Sequence, residues 1–193
     1  MTINELDLSK SYTYADYLTW QFDEYVELIK GKVYRMSPAP MRRHQYVSGK
    51  IFNLFTNFLD GKPCQVYSAP FDVRFVMSDY NNESITTVVQ PDVCVVCDSN
   101  KLDDYGCIGA PDLIVEIISK GSAKKDLDDK FHLYEYFGVK EYWVVFPTDK
   151  FVSVYELYDG LYKLRADYEP GQNIPVGIFE GFEIDATKIF SEI

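Results

Sequence analysis

Residues 90–119, QPDVCVVCDSNKLDDYGCIGAPDLIVEIIS, decide how this chain is read. Two similar phrases, QPDVCVV at 90–96 and APDLIVEIIS at 110–119, each place Pro-Asp ahead of an apolar, β-branched run. Such runs bounded by turn residues read as strands. An Asp at the start of a strand is often only a turn former bonding nearby backbone, and that reading stays open for Asp92 and Asp112. Glu116 is different. It lies inside LIVEIIS, where an ionised carboxylate is costly without a partner or a metal.

Strand geometry tests which acids can cooperate. Asp112 and Glu116 share a face but sit four residues apart, roughly 13 Å at about 3.3 Å per residue, too far to hold one ion together. An antiparallel hairpin through the loop 98–110 centres on residue 104, so 92 falls opposite 116. Directly opposed residues approach to about 5 Å, which sets Asp92 and Glu116 off one face as a carboxylate pair. A slip of one residue breaks this arrangement. Hard oxygen donors at that spacing suit magnesium or manganese better than zinc.

The next segment supplies a cation. A helix is expected from a cap at Ser122 to about Phe137, with Leu127, Phe131 and Leu133 or Tyr134 inward and Gly138 as its stop. Asp126, Lys130 and Tyr134 fall on one stripe at i, i+4 and i+8. The short connection from the Glu116 strand brings Lys130 within reach of the carboxylates; the plainer reading pairs it with Asp126 on a solvated face. In metal-dependent phosphodiester hydrolysis the carboxylates hold the ion, and a lysine stabilises the phosphorus centre or orients the nucleophile.

Working outward, TYADYLTW at 13–20 reads as a short helix capped by Thr13, and YVELIKGKVYRM at 25–36 as a hairpin turning at Lys30-Gly31. SPAP at 37–40 breaks the chain. Val47, Ile51, Leu54, Phe55 and Phe58 recur at helical spacing between Arg42 and Leu59, ending at Asp60-Gly61. Residues 64–77 and 86–97 carry strand composition, as do EYWVVFP and FVSVYEL around a turn at Thr148-Asp149, and the tail reads as short strands and turns. The fold class expected is α+β: one domain spanning 1–193, with a mostly antiparallel sheet flanked by two longer helices.

The 193 residues carry 19 Lys and Arg against 30 Asp and Glu, a formal charge of −11, which argues against non-specific coating of nucleic acid or anionic membrane. The excess acid is uneven. Residues 1–96 hold 9 basic and 11 acidic side chains, and residues 97–193 hold 10 and 19. With no leader-like run and no stretch of about 18 apolar residues, a soluble, cytoplasmic protein is expected. Cys94 and Cys97 form a C-x-x-C inside a strand, where odd spacing sends the sulfurs to opposite faces. Cys64, Cys94, Cys97 and Cys107 are therefore expected to be reduced and structural.

The ordered set of acid after Pro, acid in the next strand, and lysine downstream resembles the PD-(D/E)XK nuclease superfamily. More closely, ELIKGKVYRMSPAP, His44, QPDVCVV, PDLIVEIIS and DLDDKFHLYEYFGVKEYWVV resemble the Uma family of restriction endonuclease-like proteins over roughly residues 20–160. The resemblance implies a restriction endonuclease-like core and a divalent-metal site, with Mg2+ or Mn2+ as cofactor and DNA as partner. Asp92 matches the motif aspartate, Glu116 the first acid of the (D/E)XK element, and Glu27 the acid of the N-terminal region. The lysine of that element is replaced by Ile118, and Lys130 is the matching cation on the following helix. The Ile117 carbonyl is a further metal ligand by the same likeness, and His44 an auxiliary acid, base or phosphate contact. Lys30, Lys32 and Phe146 depart from the family pattern at peripheral positions.

Arg35, Arg42 and Arg43, with His44 and Lys50, gather around the start of the first long helix and form a candidate DNA-facing patch. A magnesium-dependent homodimeric DNA endonuclease is the expectation. Two other readings stay open: a catalytically silent dimeric DNA-binding or protein-interaction module of the same fold, and an enzyme acting on another phosphorylated or acidic substrate.

Overall fold

The computed structural model describes residues 3–22, 24–36, 41–119 and 125–191, without the side chains of 4 and 125–127. SPAP at 37–40 and the cap expected at Ser122 lie outside these residues, as do the side chains of Asp126 and Leu127. Helix α1 (Tyr14–Tyr17) is capped by Thr13, whose hydroxyl and backbone exchange hydrogen bonds with Asp16. Strands β1 (Val26–Ile29) and β2 (Lys32–Arg35) form the expected hairpin, turning on Lys30 and Gly31, both at positive φ. A side chain at 31 would also collide with Ser11. Helix α2 spans Arg42–Leu59 as its apolar spacing requires.

The strand-rich runs that follow divide between two sheets. β3 (Gln65–Ser68) and β6 (Val93–Val96) lie in one six-stranded sheet; β4 (Val73–Arg74) and β5 (Val88–Val89) lie in another. The chain thus leaves the first sheet after Ser68 and returns to it through Gln90-Pro91-Asp92, so the Pro-Asp step is the crossing point between layers. Proline suits it, because it lacks the N–H that a continuing ladder needs. Short β7 (Leu102–Asp103) and β8 (Gly106–Ile108) extend the sheet of β2-β1-β5-β4.

The central sheet runs β12-β11-β10-β9-β6-β3, built with β9 (Leu113–Ile117), β10 (Glu141–Phe146), β11 (Phe151–Tyr158) and β12 (Leu161–Tyr168). β6 and β9 are antiparallel with Val93, Cys94 and Val95 opposite Val115, Ile114 and Leu113, the register that centring on residue 104 demands. β9 and β10 are parallel, and helix α3 (Lys125–Phe137) makes the crossover between them. Strands β13 (Asn173–Pro175) and β14 (Glu183–Asp185) pair separately, and α4 (Ala186–Phe190) follows.

Alternation along β6 and β9 divides the core. Val93, Val95, Val115 and Ile117 face Val47, Ile51 and Phe55 of α2, while Cys94, Val96 and Ile114 face Leu133 and Tyr134 of α3 and Val73, Phe75 and Val89 of the other sheet. Glu116 shares the second face. It therefore lies between the two sheets, beneath α3.

One expectation is corrected. Cys64 and Cys97 form a disulfide rather than remaining reduced, while Cys94 and Cys107 are free and buried. The reason is the register. Gln65 opposes Val96, so the next step outward sets Cys64 against Cys97 across the antiparallel pair.

Candidate active site

The two Pro-Asp aspartates hold opposite ends of one strand pair in the same way. Asp92 Oδ2 accepts the Ile117 N–H at 2.7 Å, and Asp112 Oδ2 accepts the Cys97 N–H at 2.8 Å. Beyond that bond they diverge. Asp112 is completed by Lys140 at 2.7 Å, a structural pairing beside the disulfide. Asp92 Oδ1 instead faces the His44 Nε2 of α2 at 3.2 Å.

Glu116 lies on the face of β9 that carries Ile114, and it is buried. Lys130 of α3 donates to its Oε1 at 3.0 Å and to Glu27 Oε1 of β1 at 2.8 Å. One turn along α3, the Tyr134 hydroxyl donates to the same Glu116 Oε1 at 2.6 Å. Both donors use Oε1, so neither engages Oε2. Ile118, at the position of the motif lysine, packs into the apolar cluster around Tyr134. The ammonium therefore enters from the helix rather than from the strand.

Lys130 of α3 joins Glu27 of β1 to Glu116 of β9 by direct hydrogen bonds, while His44 of α2 and Asp92 at the β5–β6 crossing form a second pair, coupled to the first through the charges of Asp92 and Glu116. Gln90 is the residue that sequence reasoning passed over. Its N–H donates to Glu27 Oε1 at 3.0 Å, and its side chain donates to Asp72 at 2.8 Å, which also accepts from Tyr14 and Tyr17. Its place immediately before Pro-Asp was the available signal. Arg42 and Arg43 are exposed at the start of α2, whereas Arg35 pairs with Glu24 at 3.5 Å.

Charge explains the protonation states. Burial pushes the Glu116 carboxyl up to about 7, with Lys130 pulling it down and Asp92 and Glu27 adding to the rise. Burial also opposes the charge on Lys130, but Glu116 and Glu27 outweigh it and hold the ammonium protonated. For His44, burial lowers the pKa, yet Asp92, Glu116 and the Ile117 backbone together leave it above 6.5.

A divalent ion fits this donor set. Glu27 and Glu116 share the Lys130 ammonium, and the charge of Asp92 adds to the burden on Glu116, so among the described residues carboxylates outnumber ammonium groups here, and this surplus of negative charge is what a cation neutralises. In an extended strand the N–H and C=O of one residue leave by the same edge, so the Ile117 carbonyl faces the Asp92 side with its N–H. Among the described residues no three His, Cys, Asp or Glu side chains are grouped to hold a metal. The fitting set is thus two carboxylates and a main-chain carbonyl. That suits magnesium, which binds through one or two carboxylates and keeps several waters.

A cavity of about 950 Å³ lies at the other end of β9, lined by Cys64, Cys97, Asp112, Lys140 and Glu141 among others. Its buried acids are already satisfied: Asp112 by Lys140, and Glu141 by the Trp143 indole and the Ile178 N–H. No helix among the described residues is long and apolar enough to cross a membrane.

Known proteins give a consistent picture. The family model Uma2, described as "Putative restriction endonuclease", matches residues 14–187. The uncharacterized protein slr1290 of Synechocystis is 29% identical over 147 residues, covering 75% of this chain and 73% of its own. A crystal structure from Anabaena variabilis, described as a putative nuclease belonging to DUF820, superposes with a TM-score of 0.74 at 18% identity, covering 93% of this chain and 98% of the other.

Proposed function

The chain belongs to the Uma2 family, and from that premise we propose that it is a divalent-metal-dependent DNA endonuclease with its site at Glu27, His44, Asp92, Glu116 and Lys130. The observation that supports this reading is the buried Glu116 carboxylate, bonded by Lys130 and Tyr134, with the charge of Asp92 acting on it.

Asp92, Glu116 and the Ile117 carbonyl would hold Mg2+ or Mn2+. When bound, the ion would supply Lewis acidity toward a phosphoryl oxygen and lower the pKa of a water it binds. The remaining chemistry belongs to side chains. Glu27 and Glu116 fix the Lys130 ammonium between them and keep it charged, so that its remaining donor capacity serves the negative charge growing on the phosphorus centre. Tyr134 locks the rotamer of Glu116 through Oε1. His44 holds a proton at Nε2 against Asp92 and carries it at the phosphate side of the site. Arg42 and Arg43, at the helix start that presents His44, would contact backbone phosphates. A homodimer belongs to the same proposal.

The test is cleavage of a mixed DNA panel with magnesium or manganese by the wild type, Asp92→Ala and Glu116→Gln. The proposal expects metal-dependent nicking by the wild type alone. Equal nicking by all three proteins, or none by any, overturns it.

A further inference from the structure

Resting on the nuclease reading, we propose that the face of the β1–β2 hairpin around Glu27 is an aromatic platform that stacks unpaired nucleobases, making single-stranded or locally unpaired DNA the preferred substrate class. The register places the residues. Glu27 lies directly across from Tyr34, and the Met36 N–H bonds to the Tyr25 carbonyl, which continues the pairing one step to set Tyr25 across from Met36. Side chains alternate, so Tyr25, Glu27, Tyr34 and Met36 share one face, while Val26, Leu28 and Val33 share the other.

Burial agrees with this division. Val26 and Leu28 are buried, and Leu28 and Val33 pack in the cluster with Tyr14, Ile85 and Val88. On the other face Glu27 is buried against Lys130, yet its neighbours Tyr34 and Tyr25 stand 41% and 64% exposed. Directly opposed side chains have Cβ atoms about 5 Å apart, so the Tyr34 ring adjoins the acid that holds Lys130. The nearby aromatics Tyr12, Tyr17, Trp20 and Phe22 pack on one another. Among the described residues Tyr25 and Tyr34 pack on no other ring.

Two exposed tyrosines flanking a candidate catalytic acid supply what an unpaired base needs. Every base has a π-face, so stacking is tolerant of sequence, and a fully paired duplex keeps its faces occupied. The charge balance points the same way. A chain of net charge −11, whose exposed Arg35 is already paired with Glu24 and whose Arg42 and Arg43 stand exposed at the start of α2, has a weak electrostatic hold on a duplex. Stacking provides the hold that charge does not.

The experiment measures binding of three 2-aminopurine oligonucleotides, single-stranded, fully paired and paired with one bulged base, with calcium replacing magnesium. The wild type, Tyr34→Ala, Tyr34→Trp and Tyr25→Ala are compared, with thermal melts to confirm folding. The wild type is expected to bind the single-stranded and bulged DNA about tenfold tighter than the duplex and to quench the probe. Tyr34→Ala and Tyr25→Ala should each lose about tenfold on unpaired DNA alone, and Tyr34→Trp should retain binding. Equal affinity for the three oligonucleotides, or losses equal on paired and unpaired DNA, overturns the platform. Quenching without cleavage in manganese supports the platform while removing the nuclease reading. Metal-dependent duplex cleavage indifferent to Tyr34→Ala does the reverse.

Discussion

Lys130 Nζ lies 3.0 Å from Glu116 Oε1, although the two residues stand on different elements and the strand itself offers only Ile118 where the family motif has its lysine. The same ammonium bonds Glu27, so one cation joins a strand of each sheet to the helix between them. Removing it leaves two buried carboxylates without a counter-charge. Breaking a buried pair from one side costs about 3–5 kcal/mol. Lys130→Met, similar in volume, should lower the unfolding free energy by that order in urea titrations. A loss under about 1 kcal/mol contradicts the pairing.

Stability should fall as pH rises through the region between 4.5 and 7. Glu116 is raised above its unfolded value, so the folded state binds its proton more tightly, and ionising it while buried costs stability as pH approaches about 7. His44 is also raised, so its contribution is present below 6.5 and is lost as pH rises through its folded value. Both groups act in the same direction. Metal-free denaturation at constant ionic strength should show this decline, and Glu116→Gln should flatten it. Stability rising over that window in the wild type contradicts the assignment.

Tyr134→Phe keeps the ring and removes the 2.6 Å donor to Glu116. A hydrogen bond to a charged group contributes about 1.5–3 kcal/mol. The Tyr134 bond lowers the Glu116 pKa, so its loss should raise that pKa further and weaken manganese binding in calorimetric titration. Unchanged manganese affinity in the folded variant counts against the role given to Tyr134.

The Cys64–Cys97 disulfide spans 33 positions in sequence and ties β3 to β6 at the end away from His44. Chain entropy gives such a loop about 3–4 kcal/mol. Dithiothreitol, or Cys64→Ser, should lower the denaturant midpoint accordingly while leaving metal binding intact. An unchanged midpoint contradicts the cross-link.

The strand pair at the centre of the fold was legible because hairpin register follows from where the loop is centred, and alternation then assigns faces. Asp92, Glu116 and Lys130 followed from that geometry together with helical spacing. The split into two sheets was not legible. Runs such as 64–77 and 86–97 have uniform strand composition, and nothing local says that the chain changes layer at Ala69-Pro70 or at Gln90-Pro91. The disulfide was missed for a related reason: it depends on the pairing of β3 with β6, which are distant in sequence. Gln90 is marked in the sequence only by its place before Pro-Asp, because its bond to Glu27 is made by the backbone N–H, which any non-proline residue there supplies. Glu27 was reached through family likeness, and its bond to Lys130 is a tertiary fact.

The central claim is that Asp92, Glu116 and the Ile117 carbonyl together hold the ion that serves phosphodiester hydrolysis. Anomalous difference density from manganese-soaked crystals tests it most directly. The account predicts one strong peak in contact with both carboxylates and that carbonyl, absent from Asp92→Ala crystals soaked identically. No peak there at millimolar manganese, or a peak that persists in Asp92→Ala, contradicts it.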